Sequence, residues 1–201
     1  MIPMAATATT ADLRADLFAL LGQSFPGIDI SLGHSVRWNR STIEFRWEGF
    51  AGLLPEERFR RIMGTLPDHF YEERMRGCVC LELAPGEELE AFLALPRSED
   101  IVQDEPRIAR RLLKAKFFDK LEVQLGSSPM DACSGGLQGS RQLLRSLRFS
   151  AVQADGACLV LIRHRSYCDC EVLMRARPEL VEQFGPAESE SAPPKRRPRK
   201  R

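Results

Sequence analysis

The sequence predicts an α+β protein built from a small α+β domain, a mainly helical module and a basic tail. A chain of 201 residues is long enough for two small domains. Short runs of alternating apolar and polar residues occur in the first half, whereas the second half is dominated by the i, i+3, i+4 spacing of amphipathic helices. Hydrophobic residues make up 43% and charged residues 28% of the chain, which is typical of globular proteins.

The first predicted domain covers residues 11–96 and follows a segment, residues 1–10, that we expect to be disordered. Leucines on one face predict a helix from Ala11 to the Pro26-Gly27 pair, which ends it. The rest of the domain is predicted as strand, strand, helix, short helix, strand and short helix, at residues 28–32, 42–47, 54–66, 68–75, 78–83 and 86–95.

A polar linker, residues 97–105, separates this domain from a helical module, residues 106–184. Its apolar spacing predicts one long helix over 106–125 and another over 137–147. Residues 151–165 fit either a strand, because of the apolar run 158–162, or a helix weakened by Gly156. Residues 185–201 have the composition of a disordered basic tail.

One stretch of the first domain, Trp47–Arg61 (WEGFAGLLPEERFRR), resembles the BolA family, in which a strand end and a glycine lead into an arginine-rich helix. The resemblance implies an αββααβ fold, close to the second type of KH domain. It also implies a role with monothiol glutaredoxins in iron–sulfur trafficking. The family's Arg-His-Arg element stands here as Arg58-Phe59-Arg60, so His34, in the predicted loop between strands, is the one histidine that matches the family's ligands.

The module carries the run Tyr167-Cys168-Asp169-Cys170-Glu171-Val172-Leu173, and residues 106–175 resemble a small bacterial family of unknown activity with this C-terminal signature. That family also has a Cys-Asp-His element before an earlier helix. Cys133-Ser134-Gly135 stands at that place, so the cysteine is kept and the Asp and His are not. The resemblance names a module and implies no reaction.

The same cysteines predict a metal site. In an extended segment residues i and i+2 point to the same side, so Cys168 and Cys170 are expected to reach one ion, with Cys133 as third ligand. Zinc takes four such ligands. The fourth is expected from His164, Asp169, Glu171 or water, although Arg163 and Arg165 favour solvent exposure of His164. Packing as small buried hydrophobes is an alternative interpretation, and so is a redox pair of Cys133 with Cys168 or Cys170.

The redox interpretation is weakened by the expectation that no helix N-terminus lies at the Cys-x-Cys run to lower a thiol pKa. Cys78 and Cys80 have the same spacing in a predicted strand, on one face with Glu82, and are expected to pack. Cys158 is expected in the core. The loop Ser134–Ser140 (SGGLQGS) suits either an anion site or a helix cap.

The net charge of +1 is unevenly distributed, because six basic residues in the tail leave −5 for residues 1–194. The tail predicts weak, salt-dependent binding to nucleic acid through Lys195, Arg196, Arg197, Arg199, Lys200 and Arg201. No phosphate-binding loop, dinucleotide fingerprint or nucleophile elbow is present. Enzyme activity stays open, and a non-enzymatic role is favoured over it.

The sequence therefore predicts a non-enzymatic adaptor that binds a protein partner and holds a structural zinc ion in its second module. A nucleic-acid-associated protein and a BolA-like iron–sulfur or thiol-handling protein are the alternatives. Without a signal peptide or a membrane span, we expect a cytoplasmic protein.

Overall fold

A computed structural model describes residues 10–185 and divides the chain into two compact units at Val102–Gln103. The division falls inside the predicted linker 97–105. Most of the segment predicted as disordered at the N-terminus, residues 1–9, and the basic tail with Lys195, Arg196, Arg197, Arg199, Lys200 and Arg201 lie outside the described residues. The predictions made for the tail therefore stay predictions.

The first unit is an α+β unit whose elements follow the predicted order. A turn of 3-10 helix, Glu48–Phe50, follows the second strand, a π-helical turn, Tyr71–Met75, extends α3, and Ser98–Ile101 form a further 3-10 turn. The helices and strands are α1 (Thr10–Leu21), β1 (Asp29–Ser35), β2 (Arg40–Arg46), α2 (Pro55–Met63), α3 (Asp68–Phe70), β3 (Val79–Leu83) and α4 (Leu89–Leu93). His34 lies within β1 and is exposed, so its expected place in a loop is wrong.

The three strands form one sheet in the order β1-β2-β3. β1 runs antiparallel to β2, with Ile30 opposite Phe45, and β2 runs parallel to β3, with Phe45 opposite Glu82. Leu17 of α1 and Ile62 of α2 are fully buried in the core cluster that contains Ile30 and Phe45. Each such side chain contributes about 1.5–3 kcal/mol by leaving water. β3 lies at an edge of the sheet.

Among its described residues the second unit has helices joined by turns and loops, and no strand. A π-helical turn, Val172–Ala176, joins its last two helices into one helical segment. The helices are α5 (Glu105–Lys114), α6 (Phe117–Leu125), α7 (Gln138–Ser146), α8 (Ala151–Arg163), α9 (Asp169–Glu171) and α10 (Arg177–Phe184).

Two predictions for this unit are corrected or decided. The single helix predicted for 106–125 is two helices, because Lys116 adopts a left-handed conformation (φ 52°) that lets both Phe117 and Phe118 turn into the core. The ambiguous segment 151–165 is helical: Ser150 caps α8, and its side chain and that of Gln153 exchange hydrogen bonds with each other's backbone amides. Across residues 10–185, no helix has both the length and the apolar composition that crossing a membrane requires.

Candidate metal centre

The Cys-Asp-Cys run lies at the start of a helix, so the predicted extended conformation is wrong for most of it. Cys168 is extended (φ −143°, ψ 163°), and helical backbone begins at Asp169. The helical segment then continues through the π-turn to Phe184. The two sulfurs still lie side by side, 3.2 Å apart. Cys168 directly precedes the helix and Cys170 is the second residue of its first turn, so both lie at the same end of the helix. The expectation that no helix N-terminus lies at this run is therefore also wrong.

Cys133 completes a cluster of three sulfurs. Its Sγ and those of Cys168 and Cys170 all lie within 4.8 Å of one another, and Cys168 Sγ is 3.2 Å from Cys170 Sγ. Tetrahedral zinc with Zn–S bonds of about 2.3 Å needs sulfurs about 3.8 Å apart. The observed spacing brackets that value, so small side-chain rotations suffice to place one ion among the three. The three cysteines predicted as ligands therefore lie close enough to hold a metal ion.

Asp169 connects the loop that carries Cys133 to the helix start that carries Cys168 and Cys170. Its carboxylate accepts hydrogen bonds from the backbone N–H of Gly139 (2.8 Å) and Ser140 (2.8 Å) and from the Ser140 hydroxyl (2.6 Å). In return, the Asp169 N–H donates to the Gly136 carbonyl at 3.0 Å. Residues 136–140 directly follow the Cys133 loop, so these bonds hold Cys133 beside Cys168 and Cys170.

The sequence predicts that the loop Ser134–Ser140 is either an anion site or a helix cap. In the structure its backbone N–H groups bind a carboxylate of the same chain, that of Asp169. The carboxylate of Asp169 sits at the N-terminus of α7, where the first N–H groups of a helix lack partners within the helix. Gly139 is required there, since a Cβ at this position would lie 2.6 Å from Asp169 Oδ2. The glycine therefore lets the Asp169 carboxylate approach the backbone of α7 closely. We call the hydrogen bonds between Asp169 and residues 136–140 the clamp.

The electrostatics favour a thiolate on Cys133. Burial acts to raise the pKa of its thiol. Hydrogen bonds to the sulfur have the larger combined effect and bring that pKa below its ordinary value. They come from the backbone N–H groups of Cys170 and Gly135 and from the thiols of Cys170 and Cys168. Burial raises the pKa of Cys168 and of Cys170, and negative charge on Cys133 raises both further. The cluster thus holds its first negative charge on Cys133.

His164 was one candidate for the fourth ligand, and the structure gives it other partners. It is buried, with 8% of its surface exposed, so the expected solvent exposure is wrong. Its Nδ1 lies 2.6 Å from Glu179 Oε2 and its Nε2 lies 2.9 Å from Glu105 Oε1. Glu105 also accepts a hydrogen bond from Arg163 at 2.6 Å. Both ring nitrogens therefore serve to join α5 and α10 at the C-terminal end of α8.

The other two candidates also have partners. Both carboxylate oxygens of Asp169 are occupied by α7. Glu171 Oε2 accepts a hydrogen bond from the Tyr167 N–H at 2.8 Å, and its Oε1 lies 3.8 Å from Arg175. Among residues 10–185 the group that could hold a metal consists of the three cysteines alone, so the described side chains supply no fourth ligand.

The remaining cysteines lie outside this cluster. Cys158 is fully buried in α8, as expected. Cys78 and Cys80 pack against the core of the first unit, and burial raises the pKa of both thiols, that of Cys80 to about 12 with help from Glu82 and Cys78. Sequence reasoning missed the clamp between Asp169 and α7. The signal for it was an acid within the signature and a Gly-Ser pair opening a helix.

Comparison of the chain with protein-family models, curated proteins and solved structures gives no match. The geometry of the cluster therefore carries the functional argument.

Proposed function

We propose that the second unit is a metal-binding interaction module in which Cys133, Cys168 and Cys170 hold a thiophilic cation, with zinc as the expected ion. The observation that carries the proposal is the mutual approach of three sulfurs within 4.8 Å at a helix N-terminus. Thiolates are the ligands that zinc takes most often at structural sites, and soft donors exclude magnesium and calcium.

The protonation of the three thiols determines how metal binding depends on pH. Cys133 is the thiol closest to ionisation, whereas Cys168 and Cys170 keep their protons to higher pH. Coordination replaces those protons, so binding releases protons and the affinity increases as the pH rises. Cys133 and Cys168 are partly exposed, which leaves the cluster open to an ion from solvent.

The fourth position of a tetrahedral ion is free of described side chains, so water or a group from a second protein takes it. Three protein ligands with one open position differ from the closed set of a purely structural zinc site. This supports an adaptor whose partner completes the coordination of the ion, and no step of chemical catalysis is needed for it.

The test combines metal analysis of freshly purified protein with titration of the reduced apoprotein by Co²⁺, followed by displacement with Zn²⁺. Sulfur-to-cobalt absorption reports thiolate ligands directly. We expect one bound ion per chain and loss of the absorption in Cys133→Ser, Cys168→Ser and Cys170→Ser. The matched control is Cys78→Ser, which removes a cysteine of the same spacing in the first unit and should leave the titration unchanged.

Two results contradict the proposal. One is an apoprotein that shows no sulfur-to-cobalt absorption at any pH between 7 and 9. The other is a titration that Cys78→Ser weakens as much as the three cluster variants do, since that would mean non-specific thiol binding.

A BolA-like arrangement of the first unit is a further proposal, supported by its element order and by the arginine-rich helix α2. The iron–sulfur alternative that accompanies it has weak support, because Phe59 replaces the helix histidine and His34 lies exposed on β1. Purification under anaerobic conditions with a monothiol glutaredoxin tests it. A colourless protein that does not bind the glutaredoxin would reject this alternative.

A further inference from the structure

The first unit contains a cavity of about 410 Å³ beside the edge strand β3, within the size range of small-molecule sites. Its walls come from β3, α2, α4, the segment after α4, and the turn between β1 and β2, which contributes Trp38. Most of the lining is apolar, and Phe59 lies half-exposed beside it. The side chains that matter most are those of Trp38, Glu56, Phe59, Glu82, Phe92 and Arg97.

Glu82 is the unusual member of this lining. Only 3% of its surface is exposed, yet its Oε1 has no hydrogen-bond donor. Burial raises the pKa of this carboxyl to about 7, although the positive charges of Arg97 and Arg58 act in the opposite direction. A buried carboxyl oxygen without a donor destabilises the fold, and more so when the carboxyl is charged.

Glu56, which lines the same cavity, has a second such atom. Its Oε1 accepts a hydrogen bond from the Ser98 N–H at 2.7 Å, while its Oε2 is buried and has no donor. Two residues on different elements, Glu56 of α2 and Glu82 of β3, therefore line the same cavity, and each has a buried carboxyl oxygen without a donor.

The neighbouring arginines do not satisfy these oxygens. Arg58 is buried and donates to the carbonyls of Leu53 and Glu82 and to the carboxylate of Glu87. Arg97 lies over the Phe92 ring, with its guanidinium carbon 5.5 Å from the ring centroid. A ligand with its own N–H donors could therefore supply the donors that Glu82 and Glu56 lack, once these side chains turn towards it.

We propose that this cavity binds a small organic cation, an amine or amidine carried on a compact apolar body. Its N–H groups would donate to Glu82 Oε1 and Glu56 Oε2, and its apolar body would pack against Trp38, Phe59 and Phe92. A cation fits better than an anion, because the unused groups are acceptors and the carboxylates outnumber the one lining guanidinium. The site is independent of the cysteine cluster, which lies in the other unit.

The test uses benzamidine and phenethylammonium as probes and benzamide as the neutral counterpart of benzamidine. Binding is followed by the indole N–H signals in a two-dimensional proton–nitrogen NMR spectrum, assigned with Trp38→Phe. Trp38 lines the cavity, whereas the Trp47 indole donates to the Pro26 carbonyl at 3.1 Å and serves as the internal reference. We expect both cations to shift the Trp38 signal, and benzamide to bind at least about tenfold more weakly.

Substitutions assign the contacts. Glu82→Gln and Glu56→Gln keep the shape of each side chain and remove its charge, and each should weaken benzamidine binding by about fivefold or more. Glu82→Gln should fold normally, because burial already raises the pKa of this carboxyl to about 7 and so makes its neutral form more accessible than in water. The matched control is Glu48→Gln, an exposed carboxylate of the same unit, which should leave the affinity within about twofold.

Three results would overturn the proposal. They are equal affinity for benzamidine and benzamide, unchanged benzamidine affinity in both Glu82→Gln and Glu56→Gln, and the absence of a Trp38 shift with either cation at tens of millimolar.

Discussion

Two pairs of cysteines with identical spacing lie in very different surroundings. Cys78-Val79-Cys80 enters the edge strand β3, while Cys168-Asp169-Cys170 opens the helical segment that ends at Phe184. In the strand, Cys80 lies opposite Ile43 of the neighbouring strand, and both Cys78 and Cys80 pack against the core. At the helix, the two sulfurs meet a third, that of Cys133.

The difference shows that backbone geometry, more than spacing, decides what a Cys-x-Cys run does. In β3 the neighbouring acid Glu82 and burial raise the pKa of Cys80 to about 12. At the helix start, free amides turn towards the sulfurs, and the amides of Cys170 and Gly135 lower the pKa of Cys133. The first pair therefore has thiols with raised pKa values, and the second belongs to a cluster close enough to hold a metal ion.

The largest expected difference between the two pairs is in the reactivity of their thiols, measured in the metal-free, reduced protein. At pH 7 we expect iodoacetamide to modify Cys133 at least about 100-fold faster than Cys80, because the thiolate is the reactive form and Cys80 ionises only near pH 12. Peptide mass spectrometry over time measures both rates in one sample. Equal rates would show that the two pairs have similar electrostatics.

The second largest effect is expected from Asp169→Asn, which keeps the size of the clamp and removes its charge. Three hydrogen bonds to a carboxylate at a helix N-terminus become weaker, so we expect the free energy of unfolding to fall by about 2 kcal/mol. Metal affinity should fall about 10–100-fold, since Asp169 positions the ligands. Urea denaturation and Co²⁺ titration measure the two quantities.

The control for this variant is Asp119→Asn. Asp119 is an exposed acid of the same unit that pairs with Arg177 at 2.9 Å, and its loss should cost no more than about 0.5 kcal/mol. If both variants lose the same stability, Asp169 does not act as a clamp.

Local sequence patterns were sufficient for much of the fold. The alternation of Ile43 and Phe45 with polar neighbours predicted β2, and the Pro-Glu-Glu start predicted α2. The long helix 106–125 was predicted wrongly because its break at Lys116 comes from burial of two adjacent phenylalanines, and no glycine or proline marks the place. A break of this kind depends on tertiary packing, which a single helical pattern does not contain.

The grouping of the three cysteines was predictable, and the residues that support them were not. Residue type and spacing single out Cys168 and Cys170, and residue type together with the resemblance to the bacterial family adds Cys133. The role of Asp169 was missed because an acid between two cysteines looks like a ligand, and only the fold brings α7 to it. His164 was misplaced for a related reason: its flanking arginines suggested exposure, whereas Glu105 and Glu179 compensate for its burial.

A smaller effect is expected from Gly139→Ala, which tests the close approach beneath the clamp. The added Cβ would lie 2.6 Å from Asp169 Oδ2, so either the carboxylate or α7 has to move. We expect a loss of about 1–3 kcal/mol in the free energy of unfolding. In an Asp169→Ala background the same substitution should cost almost nothing, and a double-mutant cycle measures the difference. Additive losses would place the strain elsewhere.

The smallest effect on the metal site is expected from His164→Gln. The glutamine cannot keep both hydrogen bonds of the imidazole, so Glu105 and Glu179 lose a shared partner and we expect a loss of about 2 kcal/mol in the free energy of unfolding. Metal affinity should stay within about threefold of the unchanged protein, because His164 takes no part in the cysteine cluster. Urea denaturation and Co²⁺ titration of one preparation separate the two effects. A change in the cobalt spectrum of this variant would make His164 a ligand after all. The properties of the cluster would then depend on a residue outside the helix start, and the contrast with the pair in β3 could not be assigned to backbone geometry alone.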